Sequence, residues 1–289
     1  GNKNFITIGM INIVVAANAG GAFSPFGDIT TLMVWQRGFV SFFDFFAIFI
    51  PSVVNYIIPA VIMSLFISNR IPQGDGKKVT ILPGGKIIAL LGISTIIITV
   101  TGHQVLHMPP IFGMMFGLGL LGTFGYFLKK NATEKNKFDI FVLTGKAEWD
   151  TLLFFYGILV AVGGLASLGY LKLISDDMYV NLGPTYANIL VGILSAIIDN
   201  IPIVYAVLTA HPSMDMGQWL LITLTAGVGG SLLSIGSAAG VALMGQARGQ
   251  YTFFSHLKWS WAILLGYAAS IVTHLWMNAS LFDNIPLAR

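Results

Sequence analysis

Cysteine and charge are what this sequence has least of. None of its 289 residues is cysteine, which excludes disulfides, thiolate chemistry and cysteine-type zinc sites. Asp, Glu, Lys and Arg together make up only 9% of the chain, whereas about a quarter is usual for a soluble protein. The net charge of +3 is small, and we expect no nucleic-acid partner. A hydrophobic content of 55% and a mean hydropathy of +0.80 instead indicate a polytopic membrane protein, embedded in the lipid bilayer.

Apolar stretches long enough to cross a bilayer recur along the chain, since about 20 residues suffice for one crossing. Basic residues cluster in the links 68–87 and 128–147. Two spans separate these links, so they share one side of the membrane, and short basic loops face the cytoplasm. We therefore expect a multi-pass protein of the cytoplasmic (inner) membrane. The predicted full spans are 43–68, 86–104, 109–128, 151–171 and 258–279.

Two glycine-rich segments resemble each other. Residues 20–31 read GGAFSPFGDITT and residues 229–240 read GGSLLSIGSAAG, so the glycines of the first recur in the second at a constant offset of 209. After a two-residue insertion, Arg37-Gly38-x-x-Ser-Phe-Phe matches Arg248-Gly249-x-x-Thr-Phe-Phe. A period of this length is far too long for a solenoid unit. It matches a duplicated half of a transporter.

The two segments are predicted to cross the membrane in opposite senses. An even number of crossings separates them, if the stretch 184–210 is a hairpin that enters and leaves on one side. Glycine pairs and Pro25 interrupt a helix, and broken backbone in a bilayer is tolerated only where it is buried or lines a polar cavity. A simple kink between packed helices is the alternative, but the matched pair favours a binding site. We predict an all-α, inverted-repeat ion transporter fold with two discontinuous helices and a re-entrant hairpin.

Three regions follow from this repeat. Residues 1–68 end the first repeat, residues 69–181 hold connecting spans and cytoplasmic loops, and residues 182–289 form the second repeat. The first repeat has a broken helix at 5–36 and a span at 43–68; the second has a hairpin at 184–210, a broken helix at 217–246 and a span at 258–279. The counterpart of Asp199 would fall at position −10, so the first hairpin is absent. We expect a missing N-terminal half of about 150–200 residues, either upstream or as a separate polypeptide.

Acidic residues mark the predicted site. Of the 12 Asp and Glu residues, only Asp28 and Asp199 fall at membrane depth, where a carboxylate is costly and a functional candidate. Asp28 is also placed to cap a half-helix beginning at Ile29, a role compatible with ion binding. The other acidic residues are assigned to loops (Asp75, Glu134, Asp139, Asp176, Asp177, Asp215, Asp283) or to span ends (Asp44, Glu148, Asp150).

Hydroxyls and amides surround these two carboxylates. An oxygen-rich set of this kind suits a hard cation such as sodium, which we place at Asp199 and Asp28. Burial disfavours an ionised carboxylate and a bound sodium ion favours it, so proton and sodium compete for one site, which gives antiport if the site alternates between sides. We expect no cofactor and no enzymatic activity. The predicted set is Asn18, Ser24, Thr30 and Thr31 in the first break, Ser195 and Asn200 in the hairpin, and Ser231, Ser234 and Ser237 in the second break.

Two other patterns receive structural interpretations. Gly117-x-Gly119-x-x-Gly122 has the spacing of a dinucleotide fingerprint but lies inside a span, so it is predicted to be a packing surface, together with Gly113. His274, in the last span, is predicted to be packed or hydrogen-bonded rather than a proton carrier.

Residues 18–35, NAGGAFSPFGDITTLMVW, resemble the signature of NhaD-type sodium/proton antiporters of the ion transporter superfamily. The blocks 148–155, 195–202 and 229–241 are similar to further family blocks, which arsenite permeases and sodium/dicarboxylate symporters share. The resemblance implies exchange of Na⁺, or Li⁺, for H⁺ by an elevator-like movement in a homodimer. An arsenite/antimonite or sodium-coupled dicarboxylate carrier on the same fold is the alternative. Family members also have another membrane half before this motif.

Overall fold

The computed structural model describes residues 3–67, 81, 84–131, 140–145, 149–247 and 249–282. Over these ranges the regular structure is helical and contains no β-strand. Most of the predicted basic links, as well as Asp75, Glu134, Asp139, Glu148, Arg248 and Asp283, lie outside the described residues. The helices are α1 Lys3–Ala22, α2 Ile29–Gln36, α3 Phe49–Ser64, α4 Gly85–Leu106, α5 Pro110–Asn131, α6 Ile140–Gly145, α7 Trp149–Ser167, α8 Tyr170–Leu194, α9 Asn200–Ala210, α10 Met216–Gly229, α11 Ala238–Gln246, α12 Phe253–Leu257 and α13 Ser260–Met277.

Helices of membrane-spanning length coincide with four of the five predicted full spans. The predicted span 151–171 falls on the bent pair α7 and α8, and the additional helix Asn4–Ala22 is the first part of the broken helix predicted at 5–36. Among the described residues, five helices are long and apolar enough to cross a bilayer, and a sixth span results if α7 and α8, which meet at 79°, are counted as one bent span. The five are Asn4–Ala22, Asp44–Ser64, Gly85–Leu106, Pro110–Lys130 and Ser260–Met277. The prediction of an all-α, multi-pass membrane protein is therefore confirmed.

One compact unit of the chain is Arg70–Leu153. In it, α4 packs against α5, and glycines of α5 permit the close approach. A Cβ on Gly113 would stand 2.6 Å from the Cα of Thr99, and one on Gly117 would stand 2.7 Å from the Cβ of Thr95. The predicted packing surface is thus confirmed for these two glycines. Gly119 and Gly122 face no heavy atom of the described residues within 4 Å.

The other unit joins Gly1–Asn69 to Phe154–Arg289. Its α3 and α13 pack together through Gly266, where a Cβ would stand 2.5 Å from the carbonyl oxygen of Asn55 and 2.8 Å from the Cδ of Pro59. Pro59 has no N–H to donate to the Asn55 carbonyl, which leaves that carbonyl without its intrahelical partner. Only glycine lets α13 come this close. The predicted division of the chain into 1–68, 69–181 and 182–289 stays a prediction.

Helix interruptions lie where the glycine-rich segments predicted them. Helix α1 ends at Ala22 and α2 begins at Ile29, while α10 ends at Gly229 and α11 begins at Ala238. We call residues 23–28 the first break and residues 230–237 the second break. Helix α1 packs against both α10 and α11, so the two breaks lie side by side.

The breaks share their internal geometry. In the first, the Gly27 N–H donates to the Ser24 carbonyl over 2.8 Å; in the second, the Gly236 N–H donates to the Leu233 carbonyl over 3.3 Å. At each break the backbones of two glycines are in direct contact. A Cβ on Gly27 would stand 2.7 Å from the Gly21 carbonyl oxygen, and a Cβ on Gly230 would stand 2.7 Å from the Gly236 carbonyl oxygen. Side chains at these positions would force the breaks open.

Helix α8 bends at Gly183 (φ 74°, ψ 159°), just before Pro184. The part of α8 from Pro184 to Leu194 is joined to α9 by a turn at 195–199. We call these residues the hairpin; that it is re-entrant stays a prediction. The turn packs on the second break, because a Cβ on Gly236 would stand 2.6 Å from the Ala196 carbonyl oxygen. The hairpin turn and the second break are therefore in direct backbone contact.

The assignment of Asp176 and Asp177 to a loop is wrong. Both are exposed residues inside α8, and Asp177 accepts a hydrogen bond from Asn181 one turn later, over 2.7 Å. Residues 170–182 contain no glycine or proline, so nothing stops the helix before the bend at Gly183.

Candidate ion-binding site

Asp28 joins two helices. It is the N-cap of α2, with Oδ1 accepting a hydrogen bond from the Thr30 N–H over 3.3 Å, so the predicted capping role is confirmed. Its other oxygen, Oδ2, accepts a hydrogen bond from the Asn200 side chain in the first turn of α9, over 2.9 Å. The carboxylate therefore holds the start of α2 against the start of α9.

Asp199 stands at the N-terminal end of α9 but makes no side-chain capping bond. Its Oδ2 is buried and has no hydrogen-bond partner among the described residues. A buried carboxylate oxygen without a donor is costly. Moreover, Asp28 and Asp199 both line the same cavity. The two carboxylates thus share one small volume and repel each other when both are ionised.

A cavity of about 200 Å³ brings the predicted residues together. The N-terminal ends of α2, α9 and α11 open onto it, and such ends carry partial positive charge that favours nearby carboxylates. Its polar lining consists of Asn18, Asp28, Asp199, Asn200 and Ser237, and its remaining lining residues are Ala17, Gly27, Ile29, Ile201, Ala238 and Ala239.

Asn18 and Ser237 tie the two broken helices to each other at this cavity. The Asn18 side-chain nitrogen donates to the Ser237 hydroxyl over 3.0 Å and to the Val14 carbonyl over 2.9 Å. Ser237 is in turn the N-cap of α11, accepting a hydrogen bond from the Gly240 N–H. A shift of either break would therefore change the polar lining of the cavity.

The remaining predicted residues do not line the cavity. Ser195 and Ser231 donate to carbonyls three residues earlier, those of Gly192 and Val228. Thr31 donates weakly to carbonyls at the end of α1, and Ser24 accepts from the Phe26 N–H within its own turn. Thr30 and Ser234 are buried. Their role as ion ligands stays a prediction.

Two histidines, His256 and His274, are buried, and only His274 was singled out from the sequence. His274 is hydrogen-bonded, with Nε2 3.0 Å from the Gly217 carbonyl oxygen and Nδ1 2.9 Å from the Asn278 side chain, as predicted. Sequence reasoning missed His256, whose Nε2 lies 2.8 Å from the Ser231 carbonyl oxygen in the second break. Extending the alignment of the two copies by two residues would have found it, because it pairs His256 with the apolar Phe45.

Comparison with known proteins places this chain in a family. A family model described as "Citrate transporter" matches residues 2–227. The chain is 55% identical over 305 residues to "Na(+)/H(+) antiporter NhaD" of Alkalimonas amylolytica, covering 98% of this chain and 63% of that protein. It is also 55% identical over 290 residues to the protein of that name from Vibrio parahaemolyticus, covering 92% of this chain and 70% of that protein. The chain belongs to the NhaD family.

Family membership confirms the resemblance carried by residues 18–35. A more distant relative, "Sodium/proton antiporter 1" of Arabidopsis thaliana, is 36% identical over 275 residues, covering 91% of this chain and 47% of that protein. This NhaD-family chain thus spans less than two thirds of the length of several relatives it matches. No solved structure matches it.

Proposed function

We propose that the full-length protein exchanges Na⁺, or Li⁺, for H⁺ across the inner membrane, and that both ions use the cavity between Asp28 and Asp199. The observation that carries the proposal is the pair of carboxylates in one cavity, one of them with a buried oxygen, Asp199 Oδ2, that lacks a donor among the described residues. The named sodium/proton antiporters among the relatives point to the same activity.

The exchange of sodium for a proton follows from the repulsion between the Asp28 and Asp199 carboxylates. Two carboxylates that share a low-dielectric cavity cannot both ionise cheaply, so one of them holds a proton when no cation is present. A sodium ion between them offsets the repulsion and allows that proton to leave. Oxygens for its coordination shell are available from Asn18, Asn200 and Ser237, which suit a hard cation. Binding of sodium and release of the proton are then linked at one place.

A carrier of an anionic substrate is not favoured. An anion would be expected to bind the free N–H groups at a helix N-terminus. In this cavity Asp28 already accepts from the first turn of α2, and Asp199 adds a second negative charge at the start of α9. A dicarboxylate carrier on this fold is therefore the weaker candidate. Arsenite is uncharged arsenous acid at neutral pH, and against it stand the relatives named sodium/proton antiporters.

The two broken helices are proposed to be inverted repeats, with 184–210 as a re-entrant hairpin. At the offset of 209, the capping residues Asp28 and Ser237 are counterparts, as are the hydrogen bonds donated by Gly27 and Gly236. At the offset of 211 that follows the insertion, Gly38 and Gly249 both have a positive φ, 77° and 79°. An elevator-like movement of these elements would expose the cavity to each side in turn.

We further propose that a counterpart hairpin, supplied by sequence outside these 289 residues, covers the first break, and that the protein works as a homodimer. A Cβ on Gly229 would meet the hairpin turn, 2.6 Å from the Ser195 hydroxyl oxygen. Its counterpart Gly20 faces no heavy atom of the described residues within 4 Å. A second hairpin placed by the repeat would fill that space.

Charge-neutral variants of the full-length protein in inverted membrane vesicles test the site. Asp199→Asn is expected to abolish the sodium-dependent dequenching of a pH-sensitive dye. Asp28→Asn keeps the cap, since Asn caps as well as Asp, but its amide nitrogen replaces Oδ2 and cannot accept from Asn200. A loss of transport therefore reports the charge together with that bond, and Asn200→Ala, which removes the bond alone, separates the two. Asp177→Asn, at an exposed helix position, is the matched control and should behave as wild type.

Two results would contradict the proposal. One is an unaltered response to sodium in both cavity variants. The other is a wild-type protein that responds to neither sodium nor lithium at any pH, although the vesicles hold a demonstrated proton gradient.

A further inference from the structure

The carbonyl groups at the start of the second break are held by side chains from the segment that follows it. His256 is fully buried, with Nε2 2.8 Å from the Ser231 carbonyl oxygen and Nδ1 2.7 Å from the Tyr251 hydroxyl. Because a carbonyl only accepts, Nε2 must carry a proton, and in the neutral imidazole Nδ1 then accepts from the Tyr251 O–H. The Ser260 hydroxyl donates to the next carbonyl, that of Leu232, over 2.6 Å.

These donors satisfy groups that the interrupted helix cannot satisfy itself. The Ser231 and Leu232 carbonyls lie beyond the end of α10 at Gly229, where no further turn of helix supplies an N–H, and a buried carbonyl without a donor is costly in a bilayer-embedded protein. Ser231 is fully buried, so water does not replace a lost donor. The hydrogen bonds of Tyr251 and His256 thus hold the second break against α12.

The first break is closed in another way. There the Thr31 hydroxyl, from α2 itself, reaches the Gly21 and Ala22 carbonyl oxygens at 3.3 and 3.4 Å. At the offset of 209, the counterpart of Thr31 is Gly240, which has no hydroxyl.

The side chains after the two breaks differ correspondingly. At the offset of 211, the buried positions of Tyr251 and His256 correspond to Val40 and Phe45, which are also buried but apolar. The polar Tyr251–His256 pair therefore occurs in the second copy, which has Gly240 where the first copy has the hydroxyl of Thr31.

We propose that His256, oriented by Tyr251, is a positioning residue that keeps the second break in its cation-binding form, an inference that rests on the proposed sodium/proton exchange. The break that begins beside Ser231 ends at Ser237, which lines the cavity and bonds Asn18. Without the His256 donor the break spends part of its time in other arrangements. Sodium binds only the cation-binding form, so the KM for sodium rises by the inverse of the fraction of protein in that form. Saturating sodium draws all of the protein into that form, so Vmax stays the same.

Three variants of the full-length protein test this in the vesicle assay. His256→Phe introduces the residue of the first copy and should raise the KM for sodium about tenfold with Vmax within about twofold of wild type. His256→Gln retains an N–H that reaches the Ser231 carbonyl and should restore the KM to within about threefold. His274→Phe is the matched control. It removes an equally buried histidine from the opposite end of α10, and it should lower the amount of folded protein without changing the KM.

A measurement independent of transport separates the two proposals. Ala239 lines the cavity, and Ala239→Cys in an otherwise cysteine-free full-length protein gives one reporter for a membrane-permeant maleimide. His256→Phe should accelerate labelling about fivefold in the absence of sodium. Faster labelling with no antiport even in wild type would overturn the proposed function and leave the role of His256 intact. An unchanged labelling rate, an unchanged KM in His256→Phe, or an equal KM rise in His274→Phe would overturn the role of His256.

Discussion

Replacing Gly236 by alanine is expected to separate the hairpin turn from the second break. The backbone at Gly236 does not have a positive φ, so alanine can adopt it and the effect is purely steric. Its Cβ would stand 2.6 Å from the Ala196 carbonyl oxygen and 2.7 Å from that of Ser195. Both are backbone atoms, and the turn must retreat by about 0.8 Å to reach the 3.4 Å at which such contacts become ordinary. Overpacking of this kind costs about 1–3 kcal/mol.

The same retreat moves the ion site, because Asp199 lies only three residues beyond Ala196. The KM for sodium should rise about tenfold, and the midpoint of thermal unfolding in detergent should fall by about 5 °C. Gly245→Ala is the matched control, since Gly245 lies on α11 with no heavy atom of the described residues within 4 Å of its Cβ position. A Gly236→Ala protein with wild-type KM and unfolding midpoint would refute the contact between turn and break.

Three smaller predictions concern single contacts. Asn200→Ala removes the donor to the Asp28 carboxylate and should raise the KM for sodium about tenfold, measured by dye dequenching, since hydrogen bonds to charged groups contribute about 1.5–3 kcal/mol; an unchanged KM would show that the bond is not needed. Thr31→Val removes the hydroxyl that closes the first break and should lower the thermal midpoint by a few degrees, whereas Thr31→Ser should not; equal midpoints would argue against that closure. Gly266→Ala should destabilise by about 1–3 kcal/mol by driving α13 from α3, seen as a lower thermal midpoint, and a midpoint at or above that of wild type would show that the helices can part freely.

Features set by neighbouring residues were predictable from the sequence. Glycine and proline interrupt helices within a few residues of where they stand, so both breaks were found. The position of Asp28 directly before Ile29 was enough to predict a cap, because a capping side chain reaches only the first turn. Hydropathy likewise located the spans, whose ends differ from the predicted ones by only a few residues.

Contacts across the chain were not predictable in the same way. Ser195 and Ser231 carry the oxygens that a cation site needs, yet both hydroxyls donate to a carbonyl one turn earlier. Whether a hydroxyl faces its own helix or a cavity depends on what packs against it, which one sequence does not contain. The bond between Asn200 and Asp28 spans 172 positions, and its two ends carry no mutual signal in composition or spacing.

The crossing of α3 and α13 at Asn55 and Gly266 bears on how such a protein could have arisen. The two positions differ by 211, the offset that relates the copies, so on the proposed repeat each residue touches its own counterpart at the axis between the halves. In an ancestor assembled from two identical chains, one residue type would have faced itself there. Two asparagines would not fit, because a Cβ at position 266 would stand only 2.5 Å from the Asn55 carbonyl oxygen. Two glycines would fit, but neither helix would then have a side chain at the crossing. Fusion of the halves into one gene removes that constraint, because the two positions can then carry different residues, here an asparagine and a glycine.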